Sequence, residues 1–399
     1  MKDKLLMVVG VGSSKLMQLF FSFYLSYQFD HGVLATFVLI ITLAAAMSSI
    51  ASLGSSPQIV RAGAYIDPVH HIQSTLGTAC LVLLLSLIIL ASYIFLGDHV
   101  FLTLGFDKVD YLICTVAVTI SFVLYSVIQS YLSYKQKYFA LGCFSIFIYL
   151  FPFISSVVMS LIIDSPKIII VNYCLSFLFS SLLIFFVTLK DNINIISSIS
   201  TVFFECSILR KVVDFLKVAT FGFVTMLSLY FAVKYVNLNF NSESTAIYSV
   251  SFQFFQIGAF LPSVLGAVFI PKLVKDNNLK DQNKMKRVYM LIALGWLVIC
   301  SIAFYPVFKL YNFNFNVELI LTFLIMQVSV FFSSIQAFYI QNCVVIGNFF
   351  LLAIISVVWG GSLLISQNLL PMNVLYSSLS LLIAYVVSNT LFFCVSREK

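Results

Sequence analysis

Lys15 lies in the middle of an apolar stretch, LLMVVGVGSSKLMQLFFSFYLSYQ, over residues 5–28. A lysine at the centre of a membrane-spanning helix costs about 3 kcal/mol on insertion scales, so it is expected to face protein or water rather than acyl chains. Gln18, Ser22 and Ser26 follow at steps of three, four and four, which places all four residues on one helical face. A polar, cationic stripe on an otherwise apolar helix suits the wall of a cavity that receives an anion. The competing reading is a lysine that snorkels or is held by a local hydrogen bond.

Other apolar stretches carry similar stripes. Tyr230, Lys234 and Asn237 share one face, with Lys234 able either to snorkel outward or to meet a substrate. Ser249, Gln253 and Gln256 share another, as do Ser121, Tyr125, Gln129 and Ser133. A glutamine side chain has four hydrogen-bonding sites that lipid cannot satisfy. Each stripe alone is explained by helix-to-helix hydrogen bonds; together with two lysines they favour a hydrated internal chamber. Arg61 sits at the end of the second stretch, where it reads either as a headgroup-capturing cation or as a solvated topological charge. No aspartate or glutamate lies deep in any stretch; Asp110, Asp214 and Glu318 are all at ends. Lysines without carboxylates suit an anion, and suit neither a cationic drug nor a carboxylate proton relay.

Covalent chemistry is not expected. GVGSSK at 10–15 lacks the GK[ST] ending and the preceding strand of a phosphate loop. No GxSxG, HExxH or clustered His/Cys pattern occurs. The eight scattered cysteines contain no CxxC pair, and His31, His70, His71 and His99 lie at or near stretch ends. No catalytic residue, metal, cofactor or nucleic-acid partner is therefore assigned.

The elements that must hold these residues are membrane helices. Hydrophobic residues make up 61% of the 399-residue chain and charged residues 9%, against about 25% charged in soluble domains. Twelve spans are drawn at 5–28, 31–54, 72–96, 110–134, 141–163, 168–189, 214–237, 246–270, 288–308, 317–340, 349–366 and 373–395. One set of connecting segments and termini carries sixteen lysines and arginines and the other carries Lys108, Lys167 and Lys309, so the first set and both termini are expected on the cytoplasmic side. Lys217 lies near a cytoplasmic helix end, within reach of solvent. The outer loops are short; the longest, 97–109, leaves no room for an external catalytic domain.

The chain divides into residues 1–189 and 214–399 around the segment 190–213. In that segment Ile195, Ile199, Val202, Cys206, Leu209 and Val213 recur at three- or four-residue steps, as in an amphipathic helix on the inner leaflet or, alternatively, a plain connection. The second span ends SPQIVR and the eighth ends IPKLVK; an offset of 214 aligns them and also aligns GVL at 32–34 with AIY at 246–248. Six spans per half make the two copies parallel, related by an axis along the membrane normal. Pro152 and Pro262 fall inside spans and should bend them. The expected fold is all-α: twelve transmembrane helices in two six-helix bundles.

These features resemble Wzx-type polysaccharide flippases of the multidrug/oligosaccharidyl-lipid/polysaccharide exporter superfamily. The resemblance covers essentially the whole chain. It rests on the twelve spans in two halves, the cationic first helix and the SPQIVR/IPKLVK placement. It implies a MATE-like, V-shaped pair of bundles in a bacterial inner membrane, with spans one, two, seven and eight lining the cavity. Here those spans carry Lys15, Gln18, Lys234, Gln253 and Gln256. The implied substrate is an undecaprenyl-diphosphate-linked oligosaccharide such as an O-antigen repeat unit, with membrane lipids, a polysaccharide polymerase and a chain-length regulator as partners. Alternatives are a drug exporter of the same fold, a flippase for a capsule or exopolysaccharide unit, and a membrane polymerase.

Overall fold

The computed structural model describes residues 2–29, 31–62, 67–96, 106–189, 208–276, 279–311, 313 and 315–397. Twelve α-helices run through them: α1 (Lys2–Gln28), α2 (His31–Val60), α3 (Pro68–Leu96), α4 (Lys108–Tyr134), α5 (Tyr138–Ser160), α6 (Pro166–Leu189), α7 (Ile208–Asn239), α8 (Ser242–Asp276), α9 (Leu279–Leu310), α10 (Val317–Ile346), α11 (Phe349–Leu369) and α12 (Val374–Arg397). All twelve are long and apolar enough to cross a membrane. The shortest, α11, has 21 residues, about 31 Å at 1.5 Å per residue, which matches the hydrocarbon thickness. The chain is a multi-pass membrane protein.

Local chemistry sets the helix ends. Asp107 accepts from the backbone N–H of Asp110 at 2.7 Å and starts α4. Asn316 caps α10 in the same way, through Leu319 N–H at 2.7 Å. α10 stops at Gly347, whose φ of 89° is open to glycine and strained for other residues. Asn348 then caps α11 at once, which makes a tight reversal. Within the helices, many buried hydroxyls donate to the carbonyl one turn back, as Thr42 does to Val38 at 2.8 Å and Ser121 to Ala117 at 2.7 Å. That bond keeps small polar residues compatible with a waterless surrounding.

The packing repeats. α1 lies on α5, α2 on α3 and α4, and α6 on α4 and α5. In the second six helices α7 lies on α11, α8 on α9 and α10, and α12 on α10 and α11. Across the halves, α2 packs against α7 and α1 against α8. α2 is the central helix, with 89% of its most apolar window buried against 17% for α9. α9 presents Leu291, Val298 and Ile302 outward, as lipid-facing residues do.

Several boundaries differ from the sequence expectation. α2 and α8 each run six residues past the expected ends, so the SPQIVR and IPKLVK strings lie mostly inside the final turns, with Pro57 within α2. Pro57 has no N–H to donate to the Leu53 carbonyl one turn back, so the final turn of α2 lacks that bond. The amphipathic segment expected over 190–213 lies outside the described residues as far as 207; residues 208–213 form the first turns of α7 instead. Lys217 pairs with Asp214 at 2.8 Å in the open.

Candidate functional site: a cationic cavity between the halves

A cavity of about 510 Å³ lies between the two sets of six helices. Its walls come from the C-terminal portions of α2, α4, α8 and α10 and the N-terminal portion of α7. It reaches Val60 and Val344, near the ends of α2 and α10, on the face that carries the Lys/Arg-rich connections. Lys15 stands at its deep end, with Tyr149, Trp359 and Tyr385.

The Lys15 ammonium is enclosed by rings from both halves. It lies 5.3 Å from the ring centre of Phe260 on α8, 5.6 Å from Phe122 on α4 and 6.0 Å from Tyr149 on α5. Among the described residues it donates one hydrogen bond, a long one, to Gln18 Oε1 at 3.4 Å. Ring faces attract a cation by about 0.5–2 kcal/mol each, which offsets part of the cost of holding a charge at this depth but does not neutralise it. Among the described lining residues there is no carboxylate. The charge is therefore left for an anion to balance.

The remaining lining is made of hydroxyls and amides over aromatic walls. α2 contributes Ser48, Ser49, Ser52 and Ser56, and Ser56 shares a hydrogen bond with Ser130 of α4 at 2.6 Å. Tyr125 and Ser145 hydroxyls meet at 3.1 Å. Three lining groups are buried without a partner: Ser133 Oγ, Gln336 Oε1 and Trp359 Nε1. Buried polar groups cost about 1–3 kcal/mol when unmet, so these are positions that a polar ligand or water would satisfy. Gln341, by contrast, has both ends of its amide engaged: it accepts from the Tyr289 hydroxyl and donates one N–H to the Pro262 carbonyl at 3.1 Å.

The opposite end of the seam is closed. Phe23 of α1 meets Tyr311, just past α9, edge-on at 5.3 Å. Lys234 of α7 donates to the Tyr93 hydroxyl of α3 at 2.8 Å, and Tyr93 and Tyr230 hydroxyls lie 3.1 Å apart.

The structure brings Lys15, Tyr125 and Gln129 into the cavity. Gln18, Gln253 and Gln256 meet Lys15 in a separate crevice of about 10 Å³, roughly the space of one water molecule; they back the lysine rather than line the chamber. Three expected site residues are elsewhere. Ser22 is buried, donates to the Gln18 carbonyl at 3.0 Å and lies beside Phe21, which stacks on Tyr173 at 4.1 Å; two turns beyond Lys15, it is past the end of the cavity. Arg61 does not reach the chamber. It packs over Gly347, where a Cβ would lie 2.9 Å from its guanidinium, and 5.7 Å from the Phe349 ring centre, so it clasps the other half at the C-terminal, electronegative end of α10. Lys234 faces α3 and α11, and its polar face does not join that of Lys15.

The sequence reading missed the α2 serines, Trp359, Tyr385 and the α10 pair Ser333 and Gln336. A signal for the last pair exists: SVIQS at 126–130 in α4 and SSIQA at 333–337 in α10 resemble each other, and Ser126, Gln129, Ser333 and Gln336 all line the cavity. In a background with exposed Cys143 and Cys394 replaced, Ser52→Cys and Gln336→Cys are expected to react with a charged thiol reagent supplied from the Lys/Arg-rich face. Ser22→Cys is expected to stay unmodified; modification of all three would place the cavity wrongly.

No protein-family model matches the chain, and no curated protein matches it. Solved structures do. An outward-facing multidrug resistance MATE family transporter of the MOP superfamily aligns with a TM-score of 0.70 at 13% identity, over 99% of this chain and 94% of that one. An inward-facing structure described in the same terms gives 0.69 at 12%, over 96% and 94%. A MOP superfamily transporter from Pyrococcus furiosus gives 0.67 at 14%, over 99% and 94%. At such identities the likeness is one of fold, and the chain has the fold of MATE transporters.

Proposed function

We propose that the chain is a flippase that moves an undecaprenyl-diphosphate-linked oligosaccharide, such as an O-antigen repeat unit, from the inner to the outer leaflet of a bacterial inner membrane. The observation that carries this reading is Lys15: a cation with no carboxylate among the described residues around it, at the deep end of a cavity lined by hydroxyls and amides. The diphosphate would balance Lys15. The α2 serines, Gln129 and Gln336 would replace water around the sugar. At about 510 Å³ the cavity is in the range of small-ligand sites, enough for a diphosphate with its first sugars, while the polyprenyl tail stays in lipid.

Alternating access is the mechanism this fold supports: the seam is closed at the Lys234–Tyr93 end, and the cavity lies toward the other. With both termini cytoplasmic, the orientation that the charge asymmetry favours, the cavity would face the cytoplasm. An inside-negative potential then favours outward movement of the anion by about 2.3 kcal/mol per charge per 100 mV. Movement without covalent chemistry needs no catalytic residue, so the chain is read as a transporter rather than an enzyme. Its partners would be the lipid-linked substrate, membrane lipids, a polysaccharide polymerase and a chain-length regulator.

A capsule or exopolysaccharide unit presents the same diphosphate and fits equally. A multidrug exporter is the second reading, favoured by the fold and by the rings around Lys15; an ammonium at the deep end disfavours a cationic drug. The Pyrococcus furiosus structure is described as having reversed binding-pocket polarity that suggests a different function, and charge separates the readings here too. Deleting the gene is expected to abolish surface polysaccharide and leave lipid-linked repeat units on the cytoplasmic side, with drug susceptibility unchanged. Increased susceptibility with normal polysaccharide would establish the exporter instead.

A further inference from the structure

Lys234 lies five residues before the end of α7, about 7.5 Å along the axis, at the depth where lipid headgroups meet acyl chains. A free lysine there would extend into water. This one is held back: its ammonium is 2.8 Å from the Tyr93 oxygen and 5.3 Å from that ring's centre, so it meets the phenol end-on as a hydrogen-bond donor. Tyr93 is an uncharged partner, and an ammonium has three donors. Lys234 also lines a groove of about 340 Å³ between α7 and α11, with Phe231, Leu238, Leu364, Gln367 and Asn368. Among the described residues that line the groove there is no carboxylate. Gln367 donates one N–H to the Ala232 carbonyl at 3.1 Å, Asn368 one to Leu364 at 2.8 Å and Asn239 one to Tyr235 at 2.8 Å. Lys234 is the cation among these residues, beside an apolar stretch that Phe231 and Leu238 leave open to the surroundings.

We propose that this groove is a binding site for an anionic phospholipid of the outer leaflet, with Lys234 on the phosphate and the apolar trough along an acyl chain. Basic pockets between transmembrane helices bind such headgroups by charge. The groove's volume of about 340 Å³ holds a headgroup rather than an oligosaccharide. The site is separate from the Lys15 cavity and does not depend on the transported substrate.

The test is native mass spectrometry of the full chain released from nanodiscs of phosphatidylglycerol and phosphatidylethanolamine. Lys234→Gln is expected to lower retained phosphatidylglycerol about fivefold, or about 1 kcal/mol for one lysine, with Lys234→Arg retaining it and the protein still monodisperse. Lys217→Gln, which removes an exposed charge at the other end of α7, is expected to change nothing. Equal losses in Lys217→Gln and Lys234→Gln, or no loss in either, would overturn the site. Displacement of the phospholipid by undecaprenyl diphosphate at lower concentration would also overturn it, by making the groove a substrate exit.

Discussion

Lys15→Gln is expected to reduce surface polysaccharide to the level of the deletion strain at equal protein abundance, while Lys15→Arg keeps a large part of it. A charge pair 4 Å apart is worth about 4 kcal/mol at an effective dielectric constant of 20 and about 1 kcal/mol in water. A half-enclosed cavity lies between these limits, so loss of the ammonium should weaken diphosphate capture by at least about fivefold. Stability should move the other way. A lysine at mid-membrane costs about 3 kcal/mol, and the rings of Phe122, Tyr149 and Phe260 return only part of that. The glutamine variant should therefore melt no lower than the parent. Transport lost with thermal stability kept marks a residue retained for its charge. Full polysaccharide in Lys15→Gln would remove Lys15 from the mechanism, and a lowered melting temperature would make its role structural.

Helical periodicity made the Lys15 face readable because the cost of an unpaired charge in hydrocarbon leaves few alternatives. Span number was readable for the same reason: hydropathy measures the exclusion of water. What periodicity cannot say is which neighbour a polar face meets. The Tyr230–Lys234–Asn237 stripe on α7 has the same spacing logic as the α1 stripe, yet Lys234 is turned to Tyr93 and the α11 groove, outside the chamber. Arg61 went astray in a related way. Its position at the end of α2 was plain, but its contact with Gly347 depends on a tight turn in the opposite half. The α2 serines were hidden because small residues within an apolar helix read equally as close packing. Gln336 was within reach: SVIQS on α4 and SSIQA on α10 resemble each other at an offset of 207, close to the 214 that relates the second and eighth spans. The α2–α7 seam was not readable at all. It rests on fitted shapes, Phe215 against Gly54 and Leu53 against Gly222, which leave no pattern in one sequence.

Shape fitting of that kind gives the other large expected effect. Gly10→Ala should lower the melting temperature of the purified protein by several degrees, and Gly10→Leu should prevent accumulation of folded protein. At Gly10 a Cβ would stand 2.5 Å from the Gly142 carbonyl oxygen on α5, and at Gly142 a Cβ would stand 2.8 Å from the Leu6 oxygen on α1. Both obstacles are backbone, which cannot rotate aside as a side chain can. Overpacking in a close-packed interior costs about 1–3 kcal/mol even where neighbours adjust, and here α1 itself would have to move. Gly12 supplies the control. It lies two residues along the same helix and its Cβ would meet nothing within 4 Å. Gly12→Ala should be neutral or stabilising by up to about 1 kcal/mol through helix propensity. Equal damage from the two alanines would mean that α1 tolerates no side chain on any face, and the close Gly10–Gly142 approach would not be its cause. Unequal damage has a consequence for the cavity: α1 carries Lys15 only five residues beyond Gly10. A helix displaced from α5 should draw the ammonium away from Tyr149 and Phe122, so a folded Gly10→Ala protein should also transport more slowly.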